Sequence, residues 1–473
     1  MAELTWQQAR LIPTSGINGL QEQERRGTSA LLAVMTAVKE FGRSLTKSYG
    51  APAGDIEAFI EVEFDLNEKK VIPDGLIRVT RGSRTWTALV EVKTGRNELQ
   101  TEQLENYLEV ARLNGFQSLI TISNQSPSAT GVHPTQVDRR KLKHVAMHHL
   151  TWSEVLAQAV MEKEHRGVAD PDQAWILGEF IRYLEHPRSG ALEFEDLGSE
   201  WVAVRNAVAD GTLRPTDKPA AEVAGRFDAL LRFTALRLGT RLGTDVIVMF
   251  SRKELADLGS RVQGHVQNMV QHGRLSGSLR IPNTAGPLDI MVDLRAKAIT
   301  CSVEVEAPRE GRSTTKVNWL TRQLKSADER VRLESTAHNQ RGEGATDLLG
   351  RVREQPELLV LDPTKTIRSF TVAMNHPMGT KAGRGQGSFI DSFLSAVDQF
   401  YAEILQSVKA WSAKPPRMRE QVDVTELAQG QDVVPALVST ALSSQDGPEP
   451  SDSDDPASVP GSSAASPDGG ASR

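Results

Sequence analysis

Cysteine is almost absent from this chain of 473 residues, since Cys301 is the only one. A single thiol excludes an intramolecular disulfide framework and any zinc module built from several cysteines. Aromatic residues are also few, at 5% of the chain, and they are scattered along it. We therefore expect no platform of stacked aromatic rings for single-stranded nucleic acid.

Long apolar runs are missing as well. The longest stretches, such as residues 30–38, are about half the length of a membrane span. The first residues lack the basic segment and apolar core of a secretory signal. We expect a cytoplasmic protein with no membrane association.

Neither sign of charge is in large excess, because the chain has 55 Lys and Arg residues and 61 Asp and Glu residues. Much of the acidic excess lies in residues 443–473, which are rich in Ser, Pro, Asp and Gly, and the rest is close to neutral. A uniformly basic coat for DNA is therefore disfavoured, whereas a local basic groove remains open. The acidic segment has too few apolar residues to pack, so we expect it to be disordered.

Periodicity divides the chain into four segments. Residues 1–165 show the order α-β-β-β-α-β, which predicts an α/β domain with a mixed sheet flanked by helices. A helical connector is expected over residues 166–220. A second α/β domain follows over residues 221–415, where the patterns include a helix at 317–331, a strand at 357–362 and a long helix at 389–411. Residues 416–473 are expected to be a linker and the acidic tail.

Three charged residues occur on two neighbouring predicted strands of the first segment. Asp74 opens one strand, and Glu91 and Lys93 lie two residues apart on the next, so their side chains leave the same face. A short hairpin could bring Asp74 across to Glu91. Two converging carboxylates suit Mg²⁺, and a nearby ammonium can orient water or stabilise charge on phosphorus. These residue types fit phosphodiester hydrolysis.

The pattern Pro73-Asp74 followed by Glu91-Val92-Lys93 resembles that of the PD-(D/E)XK nuclease superfamily. The resemblance covers about the first third of the chain. It implies a restriction-endonuclease-like core that cleaves nucleic acid, with DNA as the expected substrate. Asp74 and Glu91 would hold Mg²⁺, for which Mn²⁺ can substitute, and Lys93 would act in catalysis.

The resemblance extends to a third acid and to the following helix. In this superfamily an acid on the first helix often completes the metal site, which suggests Glu24, while Glu61 and Glu63 on the first strand are rival ligands. Gln103 and Tyr107 lie four residues apart and so share a helix face. Their spacing resembles the Q-x-x-x-Y pattern of exonuclease-like members, which implies that they position the site or the phosphate.

Two alternatives stay open at this point. Glu91 and Lys93 could form a solvated strand face, with Asp74-Gly75 serving only as a turn. The chain could also be a catalytically inactive adaptor or nucleic-acid-binding protein that keeps the nuclease fold. A homo-oligomer or a protein partner bound through the second domain is a further expectation.

The second domain could contain a degenerate copy of this arrangement. Asp289 and Glu304 are spaced much as Asp74 and Glu91 are, but Glu306 stands where Lys93 would be. Such a copy would keep the fold without the chemistry. Its basic residues could hold phosphates without cleaving them: Arg309, Arg312, Lys316, Arg322 and Lys325.

Other basic and imidazole side chains lie near the end of the first domain. A dense basic run is the best candidate for contact with the nucleic-acid backbone, and its members are Arg139, Arg140, Lys141 and Lys143. Three histidines, His144, His148 and His149, lack the spacing of a zinc site and are expected on a strand face.

Overall fold

The structure, a computed structural model, describes residues 7–8, 11, 20–125, 133–186, 188–191, 194 and 197–412. These residues belong to one compact unit that extends to Ser412. The predicted linker and acidic tail, residues 416–473, lie outside the described residues. Mixed α/β architecture with a mixed sheet flanked by helices is observed, as predicted.

Twelve α-helices occur in the described part of the chain. They are α1 (Leu20–Ala37), α2 (Lys39–Thr46), α3 (Thr101–Leu113), α4 (Trp152–Val160), α5 (Pro171–Glu185), α6 (Trp201–Ala209), α7 (Lys218–Leu242), α8 (Arg252–Ala256), α9 (Leu258–His272), α10 (Ser313–Gln323), α11 (Leu349–Glu354) and α12 (Phe389–Phe400). None of these described helices combines the length and the apolar composition that crossing a membrane requires.

The N-terminal sheet has six strands and carries the predicted site. In spatial order they are β1 (Gln7–Gln8), β2 (Asp55–Ile60), β5 (Gly75–Arg81), β6 (Arg84–Val92), β7 (Ser118–Ser123) and β8 (Ala146–Thr151). The pairings from β1 to β6 are antiparallel, whereas β7 runs parallel to both β6 and β8. A separate hairpin is formed by β3 (Phe64–Leu66) and β4 (Lys69–Val71).

Apolar residues cover both faces of the N-terminal sheet. On β6, Val90 and Val92 join a cluster with α1, α2, α4 and α5, whereas Leu89 joins a second cluster with α3 and the β3–β4 hairpin. Because strand residues alternate between faces, Glu91 points to the side that α3 covers. The first predicted strand, expected to carry both Glu61 and Glu63, is broken, since Glu61 adopts a positive φ of 49° just after the end of β2.

The C-terminal sheet has seven strands, and every pairing among them is antiparallel. In spatial order they are β14 (Ala345–Leu348), β13 (Arg332–Ala337), β15 (Ile367–Pro377), β12 (Ala298–Glu306), β11 (Leu288–Asp293), β10 (Arg274–Arg280) and β9 (Ile247–Val248). Leu288, Ile290 and Val292 are buried, and the residues between them are only partly covered. One face of β11 therefore packs into a core and the other lies nearer the solvent.

Three predicted elements of this half were wrong or incomplete. Residues 357–362 do not form a strand, because Pro356–Leu359 is a 3₁₀ turn that begins at proline. The helix expected over 317–331 ends at Gln323, and the chain turns into β13, an unpredicted strand of mostly polar residues. The long helix from Phe389 changes to a π-helical turn over Tyr401–Leu405, where it ends.

Candidate active site

Asp74 and Glu91 lie at the same end of the β5–β6 hairpin. Gly75 pairs with Val90 in antiparallel register, so the two carboxylates occupy the next positions of the adjacent strands. The backbone N–H of Val92 donates to Asp74 Oδ2 at 2.7 Å, which fixes the aspartate against β6. Gly75 lets α1 pack closely on this strand, because a Cβ there would lie 2.5 Å from the Leu32 side chain, which would have to shift. The predicted convergence of the two acids is thus present.

Glu91 is completely buried, with 0% of its surface exposed. The Nζ atom of Lys93 lies 2.7 Å from Glu91 Oε1, which is an ion-pair distance. Neither carboxylate oxygen nevertheless accepts a hydrogen bond of normal geometry from the described residues. A buried carboxylate whose oxygens lack donors is costly unless a cation compensates it. The alternative of a solvated strand face is therefore wrong for Glu91.

Lys93 is held between two acids. Its Nζ lies 3.6 Å from Glu24 Oε2 in addition to the contact with Glu91, and its side chain is only 14% exposed. Burial alone would lower the pKa of Lys93, but the carboxylates of Glu91, Asp74 and Glu24 outweigh burial and raise it. The amine therefore stays protonated. Lys93 can contribute positive charge and hydrogen bonds, but it cannot take a proton from water near neutral pH.

Asp74 behaves differently from an ordinary carboxyl group. Burial, followed by the charge of Glu91, raises the pKa of Asp74 to about 8, although the Val92 hydrogen bond and Lys93 act against this rise. Two neighbouring carboxylates resist joint ionisation. Near neutral pH and without a bound cation, Asp74 is thus largely protonated. A divalent cation would displace that proton.

The structure distinguishes between the three candidates for an additional ligand. Glu24 reaches Lys93, and Asn97 Nδ2 donates to Glu24 Oε1 at 2.6 Å. Glu61 instead pairs with Arg25 at 2.8 Å and is 41% exposed. Glu63 likewise forms an exposed pair, with Lys70 at 2.7 Å. Only Glu24 is brought to the site.

No group of three or more His, Cys, Asp or Glu side chains within the described ranges is arranged to hold a metal ion. Asp74 and Glu91 remain as an adjacent pair of carboxylates, with Lys93 between Glu91 and Glu24. Mg²⁺ is commonly held by one or two carboxylates, with waters and substrate phosphates completing its shell. Two adjacent carboxylates supply the hard oxygen ligands that such an ion prefers, and Glu91 accepts no hydrogen bond of normal geometry from the described residues.

Gln103 and Tyr107 form the hydrogen-bonded pair that their spacing predicts. Gln103 Nε2 donates to the Tyr107 hydroxyl at 2.8 Å, and that hydroxyl donates to the carbonyl oxygen of Ile72 at 3.2 Å. Burial and the charges of Glu91 and Asp74 raise the pKa of Tyr107, so its hydroxyl stays protonated. Tyr107 is buried, and it anchors the turn that carries Asp74. Tyr107 therefore fixes the backbone at Ile72, two residues before Asp74.

A row of polar side chains that the sequence did not reveal continues across the sheet from Glu91. In the parallel register Glu91 pairs with Thr121, and Thr121 pairs with His149. Thr121 Oγ1 lies 2.8 Å from both His149 Nδ1 and His133 Nε2. Burial lowers the pKa of both histidines, that of His149 to about 4, so both are neutral near pH 7.

This row lies on three different segments, and no spacing in the sequence connects them. His148 and His149 lie on β8, as predicted, whereas His144 precedes that strand, and the partners of His149 were not foreseen. Trp152 was missed as well. Its indole N–H donates to the carbonyl oxygen of Lys93 at 2.9 Å and so fixes the backbone beyond β6.

The basic run lies beside the helix that carries Gln103 and Tyr107. Lys141–Lys143 is a 3₁₀ turn, and Lys141 Nζ donates to the carbonyl oxygen of Glu105 on α3 at 3.2 Å. Arg139, Arg140 and Lys143 are exposed. They remain candidates for contact with a phosphate backbone, whereas Lys141 is partly used in holding α3.

The register of the C-terminal sheet contradicts the predicted match of its acids. Asp289 is opposite Ser302, so Glu304 lies two residues beyond the position that corresponds to Glu91. Glu304 and Glu306 are exposed, and Glu304 lies 3.9 Å from Arg368. The predicted cluster of three acids is therefore not formed.

Two further observations weaken the idea of a degenerate copy. Strand β15 lies between β12 and β13, whereas β7 pairs directly with β6 in the N-terminal sheet. Lys316 is buried, with Nζ donating to the carbonyl oxygen of Ile367 at 3.1 Å, so it cannot hold a phosphate. The other basic residues suggested for that role, Arg309, Arg312, Arg322 and Lys325, are exposed.

No family model matches the chain, and no curated protein or solved structure is significantly similar to it.

Proposed function

We propose that this protein is a divalent-metal-dependent nuclease with a restriction-endonuclease-like N-terminal core. The observation that carries the proposal is the completely buried Glu91 carboxylate, adjacent to Asp74 and 2.7 Å from the protonated amine of Lys93. The topology supports it, since three antiparallel strands are followed by α3 and a parallel strand. That order is the one expected from the resemblance to PD-(D/E)XK nucleases.

Asp74 and Glu91 would hold Mg²⁺ or Mn²⁺, with Glu24 available once Lys93 moves away from it. When bound, the ion supplies Lewis-acid stabilisation of the phosphodiester and a water molecule of lowered pKa. Lys93 keeps its proton and presents an ammonium to the oxygens on which negative charge develops. Tyr107 fixes the backbone at Ile72 and so holds Asp74 in place.

Nuclease activity can be tested on plasmid DNA, linear duplex DNA, single-stranded DNA and RNA. We expect cleavage in MgCl₂ or MnCl₂ and none in EDTA, with nicked plasmid indicating internal cuts. The second candidate is an inactive nucleic-acid-binding protein, which the ion pairs of Lys93 and the absence of a three-acid group in the described ranges favour. Binding without cleavage in either metal would support that candidate and exclude the nuclease.

The acids around the site provide a matched pair of variants. Glu24→Gln should lower the cleavage rate by about tenfold or more, because among the described residues it removes the only carboxylate besides Glu91 that pairs with Lys93. Glu61→Gln should leave the rate within about twofold of wild type, since it breaks only an exposed ion pair. Initial rates at saturating Mg²⁺ measure both. Equal losses for the two variants would contradict the placement of Glu24 in the site.

A further inference from the structure

A cavity of about 810 Å³ lies on the more open face of the C-terminal sheet. Helix α9 and the segment before α8 form its walls, and strands β10, β11 and β12 form its floor. Its volume is in the range of about 300–1,000 Å³ that small-molecule sites occupy. The proposed active site uses none of its residues.

The wall contains an arginine held in a single orientation. Arg261 is only 7% exposed, and its Nε donates to Asp228 Oδ1 at 2.7 Å, while Nη1 donates to Glu254 at 3.1 Å. The guanidinium carbon lies 4.7 Å from the centre of the Phe250 ring. Nη2 has no hydrogen-bond partner within the described part of the chain. The guanidinium is therefore fixed in the wall of the cavity, against the Phe250 ring.

A buried histidine completes the support of this arginine. His265 Nε2 lies 3.2 Å from the Asp228 oxygen that Arg261 also contacts. Burial would raise the pKa of Asp228, but its bonds to His265 and Arg261 lower it, so the carboxylate is ionised. Asp228 Oδ2 has no partner within the described ranges. Stability alone does not account for such a cluster, because apolar side chains of similar volume would often serve equally well.

The floor of the cavity carries small polar groups. Ser276 and Ser278 on β10 face it together with Asp289 and Ser302, and the Ser278 hydroxyl donates to Asp289. Asn268 lies two turns along α9 from Arg261 and also lines the cavity. Hydroxyl and amide groups both donate and accept hydrogen bonds, whereas an ionised aspartate only accepts them. The lining can therefore satisfy a ligand that has both kinds of group.

Charge and shape narrow the class of ligand. Arg261 and Arg274 are balanced by Glu254 and Asp289 in the lining, so the cavity has no positive excess for a bare polyanion. Phe250 and the exposed Met249 add apolar surface at the wall. A planar ring with donors and acceptors on its edge matches these features, and a nucleobase has that form.

We propose that this cavity binds a nucleobase, supplied by a free nucleotide or by an unpaired base of a single strand. The ring of Phe250 would contact the base, so the site needs no platform of several aromatic rings. The proposal does not rest on the proposed nuclease activity, because base binding needs neither Asp74 nor a divalent ion.

Two glycines allow a matched test in EDTA with the full chain. A Cβ at Gly264 of α9 meets nothing within 4 Å, so Gly264→Leu leaves the helix intact and fills the cavity. Gly225 of α7 is equally unobstructed but does not line the cavity, so Gly225→Leu is the control. Phe250→Leu keeps apolar volume and removes the ring. Calorimetric titration with AMP, GMP, CMP and TMP, and anisotropy with a short labelled single-stranded DNA, measure binding.

We expect the wild type and Gly225→Leu to bind alike, and Gly264→Leu to lose about tenfold or more in affinity, as when one stacked base is displaced. Phe250→Leu should weaken binding several-fold. Binding of mononucleotides identifies a free nucleotide as the ligand, and binding of the strand alone identifies nucleic acid. The proposal is overturned if neither probe binds or if Gly264→Leu binds as wild type does. It is also overturned if pyrophosphate displaces a bound mononucleotide as well as a nucleoside does.

Discussion

Asp74→Asn and Lys93→Met should each reduce Mg²⁺-dependent cleavage by about 10²–10³-fold or more. The first replacement removes a carboxylate beside Glu91, and the second removes the only ammonium that contacts Glu91 among the described residues. Asparagine can still accept the hydrogen bond from Val92, so the local backbone should be kept. The rate of plasmid nicking at saturating Mg²⁺ measures both effects.

Three control variants separate this loss from general damage. Lys70→Met removes an exposed lysine paired with Glu63, and Asp65→Asn changes an exposed acid of β3. Glu304→Ala removes an exposed acid of the C-terminal sheet. All three should keep cleavage near the wild-type rate. If Glu304→Ala stopped cleavage in a folded protein, the active site would lie in the C-terminal sheet.

The two active-site variants should differ in stability. Lys93→Met leaves Glu91 as a buried charge without its partner, which in EDTA should cost about 3–5 kcal/mol of unfolding free energy. The sequence alone predicts two exposed side chains whose loss leaves the fold unaffected. That expectation is wrong for Lys93, because only 14% of its side chain is exposed. Cleavage by this variant therefore has to be measured well below its melting temperature.

Local patterns predicted most of the N-terminal sheet. The two segments predicted as neighbouring strands became β5 and β6, and the predicted short hairpin between them brought Asp74 next to Glu91. Helix α3 was also predicted, and its i, i+4 spacing correctly paired Gln103 with Tyr107. These features depend on residues close together in the sequence.

Long-range packing determined what the sequence did not predict. The burial of Glu91 arises because α3 covers its face of the sheet, and the row to Thr121 and His149 requires two parallel pairings between distant segments. In the C-terminal sheet a similar spacing of Asp289 and Glu304 suggested a repeat. A difference of two residues in register places Ser302 opposite Asp289 instead. Spacing along the chain does not fix register across strands.

The raised pKa of Asp74 has a consequence for stability that differs from the usual behaviour of carboxylates. The folded-state pKa is about 8 and the ordinary value is 3.8. Between these values the native state binds more protons than the unfolded state, so stability decreases as pH rises. Below about pH 4 and above about pH 8, Asp74 should not contribute to the change of stability with pH. Asparagine at position 74 cannot ionise and should remove this dependence.

In EDTA, Asp74→Asn should therefore be more stable than the wild type at about pH 9, by at least about 1.4 kcal/mol, the equivalent of one pKa unit. The difference should shrink toward about pH 5, because the folded wild type keeps its proton there and, so close to the ordinary pKa of 3.8, protonating Asp74 on folding costs little free energy. Mg²⁺ should stabilise the wild type more at the higher pH, because it replaces the proton, and should have little effect on the variant. Urea unfolding at both pH values, with and without Mg²⁺, measures these differences. A variant that is less stable than wild type at the higher pH, or an equal response of both proteins to Mg²⁺, would show that Asp74 and Glu91 do not share a buried, cation-binding site.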